Sequence, residues 1–122
     1  MSEDDRLIVD SLLAFGAERL RPEIRTAEGA RAVSADVRAA FAELGFEALE
    51  LPEAAGGAGL GMLSRVRANR ALARADAGAA VALDRLGPAL YPLLAFGGEA
   101  AALRFARPLL DDPAARAVLV VE

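Results

Sequence analysis

Four of the six residues from Gly56 to Gly61 are glycine: Gly56, Gly57, Gly59 and Gly61. In a helix interior each costs about 1 kcal/mol relative to alanine, so this run is not helical. Glycine reaches positive φ cheaply, which lets a chain reverse in very few residues. Amphipathic helical patterns lie on both sides. The segment Pro52–Gly61 therefore reads as a sharp turn between two packed helices.

A chain of 122 residues is one domain by size. Hydrophobic residues make up 55% of it, but alanine dominates that share and buries little area. Leu, Ile, Val and Phe must supply most of the burial, at roughly 1.5–3 kcal/mol per side chain. The missing residue types exclude more. There is no His, Cys, Trp or Lys, and all fourteen basic residues are Arg. Ordinary zinc sites are thereby excluded, as are Ser-His-Asp and Cys-His nucleophiles. So are Schiff bases and a Walker P-loop, which needs Lys. The glycine run lacks G-x-G-x-x-G spacing and no βαβ pattern surrounds it. Carboxylates, Arg, Tyr91 and a few hydroxyls remain for chemistry. The net charge of −4 argues against a nucleic-acid partner. The lack of Cys favours a cytoplasmic setting. The acidic Met1–Asp5 start is unlike a signal peptide. The longest uncharged stretch, Leu86 to Gly98, is broken by Pro and Gly and falls short of the ~20 apolar residues of a membrane span.

Periodicity predicts a first helix from about Asp4 to Ile24, capped by Asp4 or Ser2, with Ile8, Leu12 and Phe15 on its inner face and Pro22 placed to bend or end it. Thr26 to Val33 reads as a polar connector. A second helix starts at Ser34, with Val37, Ala40, Phe41 and Leu44 inward and Gly45 as its stop. Phe46 to Leu51 reads as extended. A third helix covers Met62 to Ala75. Its row Arg67, Arg70 and Arg74 is either a solvated face or an anion or partner contact. A fourth, about Ala77 to Leu86, is apolar on every side, which implies burial all round, within the bundle or under a partner domain. Pro88 to Phe96 and Glu99 to Leu110 complete six helices, with Gly97-Gly98 between the last two. Ala117–Val121 is β-branched and reads as a strand. A lone hydrophobic strand after six helices has nothing to pair with. The expectation is an all-α bundle, up-and-down or orthogonal, over residues 1–116, with residues 117–122 starting a β-domain supplied by more chain or by another subunit. The alternative is a strand docked alone on the bundle.

The ordered series is specific. Glu43-Leu44-Gly45-Phe46, then Leu51-Pro52-Glu53 followed by Gly56-Gly57-x-Gly59-Leu60, resembles the N-terminal helical domain of acyl-CoA dehydrogenases. Ala71-Leu72-Ala73-Arg74-Ala75-Asp76-Ala77 is similar to that family's E-E-L-A-R-x-D-A helix. Leu93-Leu94-x-x-Gly97 and the closing Ala117–Glu122 follow at the family's spacing. The resemblance implies a part in an FAD-dependent oxidoreductase of fatty-acid metabolism that desaturates an acyl-CoA thioester. In that family a glutamate takes the α-proton, the β-hydride passes to FAD, and electrons leave to an electron-transfer flavoprotein. No residue of this chain matches the catalytic glutamate. The resemblance implies Ala80, Val81 and Asp84 as acyl-pocket wall and Val121 and Glu122 as the flavin-facing edge. It also implies a homo- or hetero-oligomer, with FAD bound by the complete protein and not by this chain alone.

The chain departs from the pattern at three places. Val121 stands where the family often has Thr, Val118 where it often has an aromatic, and Ala101-Ala102 where it usually has Gln-Lys. These changes fit a divergent enzyme or a non-catalytic helical subunit or interaction module derived from the domain.

Overall fold

The computed structural model describes residues 1–122 and is all-α. Ser2 opens α1 (Glu3–Phe15) by accepting a hydrogen bond from the Asp5 N–H, and Glu3, Asp4 and Asp5 sit at the positive end of the helix dipole. A π-helical turn (Gly16–Leu20) and a 3-10 turn around Pro22 (Arg21–Glu23) carry the chain into α2 (Ile24–Ala30). The expected long first helix is therefore broken at the proline, which removes a backbone donor. The expected connector is partly helical instead, because nothing between Ile24 and Ala30 stops a helix until Arg31 turns left-handed at φ 54°.

Helix α3 (Ala35–Glu43) starts on Ser34, whose Oγ accepts from the Val37 N–H, and stops before Gly45 at φ 76°. Both ends agree with the sequence reading. The next segment does not: Phe46–Ala48 is a 3-10 turn, not extended. Its turn geometry brings Glu47 and Glu50 inward, which an extended run with period two would not do.

The glycine segment folds back on this turn. Gly56 and Gly59 have φ of 90° and 63°. The Gly59 N–H donates to Leu51 O at 2.8 Å and the Leu60 N–H to Leu49 O at 2.9 Å. Gly57 lies so close to the carbonyls of Leu51 and Ala48 that a Cβ would collide with both. Helix α4 (Met62–Ala73) follows, then α5 (Ala77–Leu83), capped by Asp76 through the Ala79 N–H. After a 3-10 turn at Gly87–Ala89 comes α6 (Leu90–Ala101), which breaks at Gly98 (φ 61°, ψ −154°) as its glycine pair predicts. A π-helical turn (Ala102–Ala106) leads into α7 (Arg107–Asp111).

Two apolar clusters form the core. The larger joins α1, α3, α4 and α5 through Leu12, Phe15, Phe41, Leu72 and Leu83, with the Phe15 and Phe41 rings 5.7 Å apart. The smaller gathers Leu51, Leu86, Leu90, Ala102 and Ala106. Helix α5 is buried on one side only: Ala79, Ala80 and Leu83 face inward while Val81 is 68% exposed. Its apolar outer face is uncovered in this chain, which excludes burial within the bundle and leaves cover by a partner domain as the expectation.

The C-terminal strand is not formed. Ala117–Glu122 is an extended segment, since no second strand exists to complete a ladder. Its one backbone tie is the Ala117 N–H to Arg85 O at 2.9 Å. No single helix is long and apolar enough to cross a membrane.

Replacing Gly57 by Ala forces two carbonyls apart, so Gly57→Ala is expected to lower stability by more than about 1 kcal/mol. Gly61→Ala, with open space and ordinary φ, is expected to stay within about 0.5 kcal/mol. Urea denaturation followed by circular dichroism separates the two.

Candidate functional site

Helix α5 is the centre of an open groove. Asn69 and Ala73 come from α4, Ala77, Ala80 and Val81 from α5, and Asp84 from its C-terminal end. Gly87 and Pro88 close one end and the extended Ala117–Leu119 forms the far wall, around a volume of about 480 Å³. Alanine on successive turns of α4 and α5 makes this groove, because no long side chain fills it. Ala80 lies at its floor, 4% exposed, and Val81 at its rim. Asp84 is half-buried, with Oδ1 accepting from the Gly87 N–H at 3.1 Å and Oδ2 from Asn69 Nδ2 at 3.1 Å. Those bonds meet the desolvation cost that a carboxylate carries in such a place.

The groove wall is held by two arginines that cap in opposite directions. Arg116, from the tail, donates to Val81 O at 2.8 Å and Ala82 O at 3.2 Å, the open carbonyl end of α5. Arg85, just beyond α5, donates to the carbonyls of Leu109, Asp112 and Ala115 at 3.0, 2.7 and 3.0 Å. Its other donors grip both carboxylate oxygens of Glu47 at 2.9 Å. The bonds with Glu47 hold the Arg85 guanidinium more firmly charged than usual, against the opposing effect of burial, and the charges of Glu47 and Asp112 add to this.

Behind the groove lies a buried ion pair. Arg65 Nε donates to Glu50 Oε1 at 2.7 Å, and Nη2 to Glu50 Oε2 and Glu47 O, both at 3.1 Å. The two side chains are 7% and 4% exposed. Burial alone would weaken the charge on Arg65; the hydrogen bonds and charge of Glu50 reverse that, helped by Asp84 and Tyr91. The Tyr91 hydroxyl donates to Glu50 Oε1 at 3.2 Å. Burial first, then the charge of Glu50 and the bond to it, push the phenol up to about 12, although Arg65 pulls the other way.

Of the residues singled out from sequence, Ala80, Val81 and Asp84 meet in one groove. Val121 and Glu122 lie beyond its wall, both exposed, and join none of its lining. Sequence reasoning passed over Asn69, Arg116, Glu47, Glu50, Arg65 and Arg85. Arg65 had a signal: it shares a helical face with Ala68 and Leu72, where a charge must be paired. Its partner had none, being on another element. In the arginine row, Arg67 pairs with Asp5 while Arg70 and Arg74 face solvent.

An all-helical domain with a glycine-built turn and a short, alanine-rich helix beside an open groove is the class defined by this fold and site. The family model for the acyl-CoA dehydrogenase N-terminal domain matches residues 2–112, and the chain belongs to that family. Comparison with curated proteins and with solved structures gave no match.

The family generally binds FAD. A flavin bed needs a concavity with donors aimed at the ring and its phosphates. Val121 is 84% exposed and neither it nor Glu122 makes a hydrogen bond, so these two residues do not by themselves fit such a bed. No redox step is derived through them.

Tyr91 is the only tyrosine, so phenolate absorbance reads it alone. A free tyrosine titrates near 10. The stability contributed by keeping Tyr91 neutral is therefore fully present below pH 10 and lost as pH rises through about 12. A native titration is expected to centre near 12 and to fall back to about 10 in concentrated urea. Separately, Glu50→Gln leaves Arg65 buried without its counter-charge and is expected to cost about 3–5 kcal/mol in chemical denaturation.

Proposed function

We propose that this chain serves as the N-terminal helical domain of an FAD-dependent acyl-CoA dehydrogenase-like oxidoreductase. Within it, the α5 groove forms part of the wall around the acyl group, with Ala80 at the floor, Val81 at the rim and Asp84 at the end. Residues 1–116 are the helical domain and residues 117–122 lead into the flavin-bearing region, where Val121 and Glu122 become the facing edge. The supporting observation is that the three residues assigned to the pocket by resemblance share one groove, left open by alanine side chains. In the complete enzyme, FAD would supply the hydride acceptor for loss of the α-proton and β-hydride. We assign no residue of this chain to either transfer, so the domain does not act catalytically alone.

The outer surface supports a larger assembly. Phe96 is 92% exposed, and Leu63, Val66, Leu103 and Phe105 are each about half exposed. Apolar surface on this scale suits packing against the remaining domains or a second subunit. An electron-transfer flavoprotein as acceptor, an oligomeric enzyme and a cytoplasmic setting belong to the same proposal. A second reading, a non-catalytic subunit paired with an active one, is favoured by Val118, Val121 and Ala101-Ala102, which replace the family's usual residues.

The protein from the complete reading frame is expected to purify yellow and to bleach when acyl-CoA is added. Colourless protein that takes up no FAD overturns the enzyme reading. If that protein co-purifies with a yellow partner subunit, the second reading takes its place.

A further inference from the structure

The floor of the α5 groove is alanine, yet a carboxylate stands at its end. Gly87 and Asn69 occupy one acceptor direction on each oxygen of Asp84. A carboxylate oxygen offers two such directions, so each keeps one for a further donor. A plain hydrocarbon tail laid in this groove removes water from Asp84 and offers no hydrogen bond in return, which is unfavourable for a half-buried charge. A tail with a donor at that point restores the bond.

The surrounding charges decide which donor. Arg65 lies behind Asp84, and the charge of Asp84 helps to stabilise its guanidinium. Arg116 lines the same groove from the tail side. An incoming ammonium would meet Arg116 in this groove as a like charge. A neutral hydroxyl carries no such penalty. The low alanine floor of Ala73, Ala77 and Ala80 leaves width for a carbon bearing that hydroxyl.

We propose that this groove selects acyl groups carrying a hydroxyl near their distal end, with Asp84 accepting the hydroxyl's hydrogen bond. Asp84 is the specificity residue, and Asn69, which holds one of its oxygens, is a positioning residue. The inference rests on the acyl-wall reading given above.

The sequence provides its own probe. Asn69 is the only Asn and there is no Gln, so a single side-chain amide pair appears in heteronuclear NMR, and it reports directly on Asp84. The full chain is titrated with octanoyl-, decanoyl- and dodecanoyl-CoA and with their ω-hydroxy counterparts. At one or more lengths the hydroxylated thioester is expected to bind about tenfold tighter and to move the Asn69 resonance further than the plain thioester does. Asp84→Ser keeps an acceptor for the Gly87 N–H and removes the carboxylate; it is expected to bring the pair within about twofold. Asn69→Ala, which frees one oxygen of Asp84, is expected to shrink the preference for the hydroxylated thioester. Ala77→Leu, at an exposed position, fills the groove and is expected to weaken every thioester about tenfold.

If plain and hydroxylated thioesters bind alike at every length while Ala77→Leu weakens both, the hydroxyl selection is overturned and the acyl-wall reading stands. If this one wall binds no thioester, the same comparison is made with the protein from the complete reading frame; no binding there, or an Ala77→Leu that changes nothing, overturns both. The wild-type comparison and Ala77→Leu decide the question even where Asp84→Ser does not fold.

Discussion

The turn carrying Glu47 and Glu50 is tied down by two arginines from elsewhere in the chain, and the rest of the structure is organised around that bond set. Arg65 reaches it from α4 and Arg85 from the end of α5. Leu49 and Leu51 of the same turn are buried, one in each apolar cluster. The turn is thus where the two halves of the core meet. Both arginines make fork-shaped contacts with carboxylates and also bond to backbone carbonyls, a geometry that lysine's single ammonium does not reproduce. The chain's exclusive use of arginine therefore has a structural consequence here, whatever its origin.

Buried ion pairs are not by themselves a source of large stability, because desolvation offsets much of the attraction. What this network supplies is position. Glu50 accepts from Arg65 and Tyr91, and Glu47 from Arg85, which also holds the carbonyls that end α7 and start the tail. Arg116 then returns to cap α5. The groove wall is a consequence of these caps rather than of apolar packing, since Val118 remains largely exposed. A short helix with one face against the core and the other open leaves a groove beside it, and the alanines determine its depth.

Local chemistry was legible in the sequence wherever a single residue acts on its own backbone. Ser2 and Ser34 cap helices, Gly45 stops one, Gly98 breaks another, and the glycine run reverses the chain. The order of those signals also carried the family resemblance. Reading failed where the outcome depended on a distant partner. Phe46–Leu51 looked extended because its hydrophobic residues are closely spaced, but the paired arginines draw its two glutamates inward and the segment turns. Helix α5 looked fully buried because every residue in it is apolar, yet burial requires something on the other side. Ala117–Val121 is a different case: its lack of a ladder within this chain is what its isolation in the sequence implies.

The amino-acid order alone settled that this domain is helical, where its helices are capped and broken, and which chemistries it lacks the side chains to perform. These are matters of one residue's φ, hydrogen-bonding groups or absence. Only the tertiary structure decided that Asp84 shares a groove with Asn69, that Arg65 is buried on Glu50, and that Arg116 of the tail caps the end of α5. Those pairings join residues far apart in the chain, and their energies exist only once folding has excluded water between them.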